Sequence, residues 1–246
     1  MRYIDLDKLI KDKQAGWGSA NDLWTGKIIK KDFREYFFGK CWYCECDIAG
    51  SDMPIDHFRP KKKIAPYMNY NYNKLIASTG YYWLKDDPKN YRASCTYSNS
   101  KRGNGGKGCF FPLTDSSGYL PAGDKNTNIE EPMLLDPCVK EDVELLTFVS
   151  SMPVCSSSNV DDKKRVNASV EIYNLNDGCI KRSRMRTWKQ TMDTIDDYEK
   201  GNINEYACVK RLKEYISRNY PYSAAAIAAV ISWDNEDIKR QLDLEL

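Results

Sequence analysis

Pro54-Ile55-Asp56-His57-Phe58-Arg59-Pro60-Lys61 contains the only histidine of this 246-residue chain, His57. Imidazole has an unperturbed pKa of about 6.5, so it is the side chain best suited to act as a general base near neutral pH. Asp56 offers a hard oxygen ligand, and Asn99 offers another further along the chain. Such oxygens suit Mg²⁺ or Mn²⁺ rather than zinc. With the basic run that follows, these residues predict a metal-assisted phosphodiesterase.

Positive charge is concentrated around this histidine. Between His57 and Lys107 there are eleven Lys and Arg residues against two acids, whereas from Gln190 to Leu246 seven basic residues stand against eleven acids. A basic segment attracts a phosphate backbone, so we expect nucleic acid to bind there, although a solvated basic loop is the alternative. The predicted phosphate contacts are Arg59, Lys61, Lys62, Lys63, Lys101, Arg102 and Lys107. The nearby glycines, from Gly103 to Gly108, would allow the backbone to approach the phosphates closely.

The termini and the cysteines indicate a location inside the cell. The first residues are charged and lack an apolar core segment, so no signal peptide is predicted. No apolar run approaches the roughly 18 residues that a membrane-spanning helix needs. The nine cysteines are odd in number and unevenly spaced. We therefore expect a cytoplasmic protein whose cysteines are thiols, some of them binding metal, rather than a disulfide framework.

The pattern of apolar residues predicts an α+β protein in three segments. Residues 1–40 have helical spacing with a polar break around Gly16 to Asn21, and Gly39 ends the second helix. Residues 41–115 predict short strands and ordered loops, a small nuclease core that a bound metal would help to fold. Residues 116–246 are predicted to be mostly helical, with an exposed loop from Ser150 to Ser158 and a long helix from about Cys179 to Lys200.

Cys41 and Cys44 have the spacing of a zinc knuckle, in which two sulfurs of one tight turn hold one cation. A thioredoxin-like redox pair is the rival, but that motif needs a βαβ context that the downstream sequence does not supply. A complete site needs a second pair. Cys95 begins one, but Ser98 stands where its partner would be. Three further alternatives remain: Cys46 completes the site, Cys109 completes it, or it binds no metal.

The spacing of Asp56, His57 and Asn99 suits in-line hydrolysis of a phosphodiester, which needs a base and a cation to neutralise the developing charge. Neighbouring residues of a strand point to opposite faces. Asp56 and His57 can therefore serve one site only at a strand end or bulge, and Pro60 fits such an ending. Asn99 is expected near the start of a following helix.

With these motifs the sequence resembles the HNH endonucleases that have the ββα-metal fold. It resembles more closely the HNH subunits of Septu-type and retron-associated anti-phage systems. The resemblance covers roughly residues 41–176. The matching stretches are Cys41-Trp42-Tyr43-Cys44-Glu45, Met53-Pro54-Ile55-Asp56-His57-Phe58-Arg59-Pro60-Lys61, Gly80-Tyr81-Tyr82-Trp83-Leu84, Asn90-Tyr91-Arg92-Ala93-Ser94-Cys95-Thr96-Tyr97-Ser98-Asn99-Ser100, Gly105-Gly106-Lys107, Phe111-Pro112-Leu113, Glu131-Pro132-Met133-Leu134-Leu135-Asp136-Pro137 and Val170-Glu171-Ile172-Tyr173-Asn174-Leu175-Asn176.

The resemblance implies that His57 is the general base and that Asp56 and Asn99 are ligands of Mg²⁺ or Mn²⁺. It implies that Asn90 orients the catalytic loop rather than reacting. Ser98 departs from the family, which usually has Cys there, so structural zinc would rest on Cys41, Cys44 and Cys95. The resemblance also implies an ATPase partner, for which the helical C-terminal segment would be a docking surface.

The expected function is therefore a metal-dependent HNH endonuclease in anti-phage defence, with DNA as the favoured substrate. The same chemistry on RNA, for example tRNA, is one alternative. A zinc-containing nucleic-acid-binding module without catalysis is another, although such a module has no need of a base beside a metal ligand. A third is a partner-dependent subunit that stays silent until an ATPase releases it.

Overall fold

The computed structural model describes residues 1–18, 21–48, 54–67, 79–101, 105–114 and 117–244. Helices account for most of its regular structure. In chain order they are α1 (Leu6–Lys13), α2 (Lys27–Tyr36), α3 (Thr96–Asn99), α4 (Lys140–Glu144), α5 (Val160–Ile172), α6 (Gly178–Glu199), α7 (Glu205–Ile216), α8 (Ser223–Ser232) and α9 (Glu236–Leu242). Two short 3₁₀ turns, Tyr82–Leu84 and Pro88–Asn90, lead into the second strand.

The strands of the described residues form two small antiparallel sheets. β1 (Ile55–His57) pairs with β2 (Tyr91–Ala93), with Asp56 opposite Arg92. β3 (Leu146–Val149) pairs with β4 (Met152–Cys155) in a hairpin. The mixture of helices and small sheets agrees with the predicted α+β class. The prediction of an exposed loop from Ser150 to Ser158 was wrong for its first half, because Met152–Cys155 pairs with β3.

Local capping interactions bound the two N-terminal helices, and Gly39 follows the second one as predicted. The Asp5 side chain accepts a hydrogen bond from the backbone N–H of Lys8 and so caps α1. Gly39 has a φ of 72° and donates its N–H to the Arg34 carbonyl oxygen at 2.9 Å, which closes the end of α2. The apolar side of α2 then packs on the segment that follows, with the ring of Phe33 stacked on that of Trp42 at 5.3 Å between centroids.

Residues 40–137, here called the loop-rich region, share one hydrophobic cluster with the N-terminal helices. Buried aromatic rings supply much of its volume. Within the part of this region that the structure describes, the strands β1 and β2 are only three residues long. Some of its charged groups are also buried: Arg92 and Asp136, both almost fully buried, form an ion pair with two hydrogen bonds, of 2.7 and 2.5 Å.

Residues 178–242, here called the helical region, form a second cluster from α6, α7, α8 and α9. Asp177, Asn204 and Asn235 cap α6, α7 and α9, and Gly201, with a φ of 74°, follows the end of α6. The alanine-rich α8 belongs to both clusters, with Ala225 in the first. No helix in the described parts of the chain is both long and apolar enough to cross a bilayer.

Candidate active site and thiol cluster

Five of the predicted site residues, Asp56, His57, Asn99, Lys61 and Lys62, line one cleft of about 170 Å³. His57 is the last residue of β1, and only at such a strand end can it and its neighbour Asp56 face the same site. Asn99 is the last residue of α3. The lining residues are Ile55, Asp56, His57, Pro60, Lys61, Lys62, Asn99, Gly108 and Cys109. The structure thus brings together a base, a carboxylate, an amide and two lysines. A larger cavity of about 270 Å³ borders α7 and α9, but its lining contains neither histidine nor cysteine.

The imidazole of His57 is held in one tautomer. Its Nε2 lies 2.9 Å from the carbonyl oxygen of Lys85, which can only accept, so Nε2 carries the hydrogen and Nδ1 keeps the free electron pair. The Tyr91 hydroxyl donates to the same oxygen at 2.6 Å. The rings of Trp24 and Tyr91 meet the imidazole edge-on at 5.6 and 5.2 Å between centroids. His57 is 7% exposed, and this burial lowers its pKa to about 4.

Asp56 already has two partners in the protein. The Tyr43 hydroxyl donates to its Oδ2 at 2.6 Å, and the Lys107 ammonium lies 3.2 Å from Oδ1 and 3.1 Å from Oδ2. Burial and the nearby Asp56 raise the pKa of Tyr43 well above its ordinary value, so its hydroxyl stays a donor. A carboxylate can accept about four hydrogen bonds or ligands, so Asp56 keeps capacity for a cation.

Lys107 is not a phosphate contact, and this prediction was wrong. Its side chain is fully buried, and its ammonium donates to the carbonyl oxygen of His57 at 2.6 Å as well as to Asp56. The charge therefore holds the last two residues of β1 in place. The sequence could not distinguish this from a surface lysine, because Asp56 lies 51 residues away.

Asn99 ends a single helical turn instead of starting a helix, which corrects the prediction. The backbone after it folds back: Lys107 N–H donates to the Ser98 carbonyl at 2.8 Å, and Gly108 N–H donates to that of Asn99 at 2.6 Å. Gly106 makes this return possible, with a φ of 92° and a position where a Cβ would lie 1.9 Å from the Ser100 carbonyl oxygen. Its close approach is to the protein's own backbone rather than to a phosphate.

Asn90 is buried and bridges two stretches of backbone. Its Oδ1 accepts from the Arg59 N–H at 2.8 Å, and its Nδ2 donates to the Arg59 carbonyl at 2.9 Å and to that of Leu84 at 3.3 Å. These two hydrogen bonds to the Arg59 backbone fix the chain just after His57. Asn90 has no part in the cleft lining. The geometry suits a residue that orients the loop.

The positive field is smaller than the sequence suggested, since acids from other parts of the chain neutralise part of it. Arg59 pairs with Glu130 at 2.7 Å, so its guanidinium is committed to the protein interior rather than to solvent. Further pairs are Lys85 with Asp22, Lys89 with Asp7, and Arg92 with Asp136.

Exposed positive charge remains beside the cleft. Lys62, Lys63 and Lys101 are exposed, while Lys61 is half-buried with its Nζ 3.1 Å from the centroid of the Trp24 ring. Arg102, also predicted to contact phosphate, lies outside the described residues. The lysines at 61, 62, 63 and 101 therefore remain candidates for phosphate contact.

The thiols of Cys41, Cys44 and Cys95 converge, with all three sulfurs buried and within 4.8 Å of one another. The Cys44 and Cys95 sulfurs are 3.6 Å apart. Hydrogen bonds among the thiols, first of all with Cys41, raise the pKa of Cys44 and Cys46 and lower that of Cys95. This cluster could hold a metal ion such as zinc, as the Cys41-x-x-Cys44 spacing predicted.

Several residues that shape the site gave no usable signal in the sequence. Tyr43 and Trp24 resemble any buried aromatic residue, and the Lys85 contribution is a backbone carbonyl. The sequence suggested a phosphate contact for Lys107, which instead binds Asp56 and the His57 carbonyl. Tyr43 lies between Cys41 and Cys44, but nothing in the sequence indicates that its hydroxyl binds Asp56.

The chain is similar to two Septu proteins of Bacillus mycoides (strain KBAB4). It is 30% identical over 155 residues to the Septu protein PtuB, a match that covers 63% of this chain and 48% of that protein. It is 25% identical over 190 residues to the Septu protein PtuA, covering 77% of this chain and 24% of that protein. This chain thus spans about half of the PtuB relative and a quarter of the PtuA relative. No model of a known protein family matches it.

Proposed function

We propose that this chain is a divalent-metal-dependent endonuclease of the HNH type that hydrolyses phosphodiester bonds of DNA in anti-phage defence. The observation that carries the proposal is the convergence of Asp56, His57 and Asn99 on one cleft beside Lys61 and Lys62. The order of the antiparallel pair β1–β2 and the following helical turn α3 supports a core of the ββα type. The similarity to the Septu proteins supports the role in defence.

In this proposal His57 takes the proton from the attacking water. The hydrogen bond from Nε2 to the Lys85 carbonyl leaves Nδ1 as the base, and Tyr91 and Trp24 fix the plane of the ring. Because burial lowers the pKa of His57 to about 4, the imidazole is neutral, and therefore able to accept a proton, across the physiological range. Lys61 and Lys62 would hold the phosphodiester against the cleft.

The donor set in the cleft suits a hard divalent cation. Asp56 and Asn99 would hold Mg²⁺ or Mn²⁺ through their oxygens. When bound, such an ion neutralises charge on the phosphate oxygens and on the leaving oxygen. Tyr43 and Lys107 keep the Asp56 carboxylate in a fixed orientation, and Asn90 fixes the chain that follows His57.

We further propose that the thiol cluster holds a structural zinc ion and that the chain works beside an ATPase subunit. The first proposal rests on the three buried sulfurs. The second follows from the resemblance to the HNH subunits of Septu-type systems, and the similarity to two differently named Septu proteins, PtuB and PtuA, supports a system of more than one subunit. The helical region is the proposed docking surface.

A cleavage assay tests the proposal. The purified chain is incubated with duplex DNA and with total tRNA, in Mg²⁺, in Mn²⁺ and in EDTA, beside His57→Ala. We expect DNA cleavage that requires the metal and is lost in the variant. Cleavage of tRNA alone would move the substrate to RNA. If neither is cleaved, even with a co-expressed partner ATPase, the chain is a binding module and the proposal fails.

A further inference from the structure

The thiol cluster has three converging sulfurs, one short of the tetrahedral set that a structural zinc site requires. Zn–S bonds of about 2.3 Å place the sulfurs of such a site roughly 3.8 Å apart, close to the 3.6 Å between Cys44 and Cys95. Two neighbours of the cluster, Ser98 and Cys46, are therefore the candidates for the fourth ligand, whereas Cys109 lines the cleft.

Ser98 occupies the place that the spacing from Cys95 assigns to a ligand. It is fully buried, its Oγ lies 3.6 Å from the Cys95 sulfur, and its backbone N–H donates to that sulfur at 3.4 Å. A serine hydroxyl is not among the ligands that zinc takes in structural sites, which are thiolate, imidazole and carboxylate. The N–H bond is instead the kind of contact that orients a metal-bound sulfur from outside.

Cys46 lies on the same loop as the first cysteine pair. The Cys41 N–H donates to the Cys46 carbonyl and the Glu45 N–H to the Cys41 carbonyl, both at 2.9 Å. Glu45 has a φ of 64°, and Lys40 pairs with Asp47 across the base of the loop. Because Lys40 and Asp47 are antiparallel partners, Cys41 and Cys46 are the next pair of opposite residues, and opposite residues carry their side chains on the same face. The half-buried Cys46 therefore lies on the side of the loop that carries Cys41.

We infer that Cys46 is the fourth ligand of a four-thiolate zinc site, with Cys41, Cys44 and Cys95 as the other three. The loop of residues 41–46 then supplies three ligands, and Cys95 supplies the fourth from elsewhere in the chain. Cys46 takes the role of the cysteine expected at position 98, where this chain has serine. Cys46 is outside the group whose sulfurs lie within 4.8 Å of one another, so metal binding is expected to draw its thiol inward. This inference rests on the zinc proposed above, not on nuclease activity.

Zinc retention by the full chain tests this assignment. Zinc content is measured by mass spectrometry after gel filtration, affinity by competition with a chelator, and the ligand set by the thiolate-to-Co²⁺ charge-transfer band after exchange. We expect one zinc per chain. Cys46→Ser should lower zinc affinity at least about tenfold, since even outer-shell changes cost 10–100-fold, and should weaken the cobalt band. Ser98→Ala and the control Cys109→Ser should keep both.

A compensating double variant covers the case in which Cys46→Ser does not fold. Cys46→Ser with Ser98→Cys restores four sulfurs in the alternative arrangement, so it should recover folding, zinc and the full cobalt band. The assignment is overturned if Cys46→Ser keeps wild-type zinc affinity, if the double variant recovers nothing, or if the wild-type chain retains no zinc. Because no substrate is used, these results are independent of whether the cleft cleaves nucleic acid.

Discussion

The loop-rich region and the helical region are stabilised by different interactions. In the loop-rich region, buried charges are paired across long stretches of sequence: Arg92 with Asp136 over 44 residues, and Arg59 with Glu130 over 71. In the helical region, apolar side chains of α6 to α9 pack together, and hydrogen-bonding caps mark the helix ends. The candidate chemistry lies in the region where buried charges are paired across long stretches of sequence. There, one substitution can remove both the fold and the site.

The largest stability effect is expected at Lys107. Lys107→Met keeps much of the side-chain volume but removes the ammonium, leaving the buried Asp56 with only Tyr43. Breaking a buried ion pair by removing one partner costs about 3–5 kcal/mol, so the free energy of unfolding should fall by about that amount. Urea unfolding measures it, with Lys63→Met as the exposed control. A cost below about 0.5 kcal/mol would show that buried charge does not stabilise the loop-rich region.

A comparable probe of the helical region is Leu212, which is fully buried on α7. Leu212→Ala leaves a cavity in an apolar core and should cost about 3 kcal/mol in the free energy of unfolding. Tyr206→Ala on the same helix, where the side chain is 76% exposed, should change it by less than about 0.5 kcal/mol. Equal effects from both would mean that α7 is not packed as described.

Acid should weaken the loop-rich region through His57. The pKa is about 4 in the folded protein, against about 6.5 when unfolded, so below pH 6.5 the unfolded chain binds a proton that the folded chain does not. Stability should therefore be constant above pH 6.5 and fall by at most about 3 kcal/mol down to pH 4. His57→Gln should lack this component in a series of urea titrations. An identical pH dependence in the two proteins would refute the buried neutral imidazole.

The smallest expected effect concerns surface charge beside the cleft. Changing Lys62 and Lys63 together to Ala should weaken DNA binding and reduce the slope of log affinity against log salt by up to about 2, since each phosphate contact contributes about 0.9. The matched control changes Lys210 and Arg211, exposed on α7. A reduced slope in the control alone would place the nucleic acid on the helical region instead.

The difference between the regions also explains which features could be predicted. The long helix α6 follows apolar periodicity and local caps, which are properties of neighbouring residues, so the predicted range from about Cys179 to Lys200 agrees closely with the observed Gly178–Glu199. Lys107 was assigned to the surface because its partner Asp56 is distant in sequence. The hairpin β3–β4 was missed because its second strand is partly exposed and contains Pro153, so it lacks the alternation of a buried strand.

The site itself was predicted in part. Motif spacing identified Asp56, His57 and Asn99, and the structure brings them to one cleft. The carbonyl of Lys85 that selects the His57 tautomer is a backbone group, and any residue type would supply it. The charge count overestimated the basic face, because Asp7, Asp22 and Glu130 come from other segments and pair with three of its members.

The most direct test of the central claim, that His57 Nδ1 is the general base, is chemical rescue. Single-turnover DNA cleavage by His57→Ala is measured with metal present and imidazole added in increasing amounts. Without imidazole the rate should fall about 10²–10⁴-fold, the usual contribution of general base catalysis, while DNA binding is unchanged. Added imidazole should raise the rate in proportion to its neutral form. Wild-type cleavage by His57→Ala in the absence of imidazole would contradict the account.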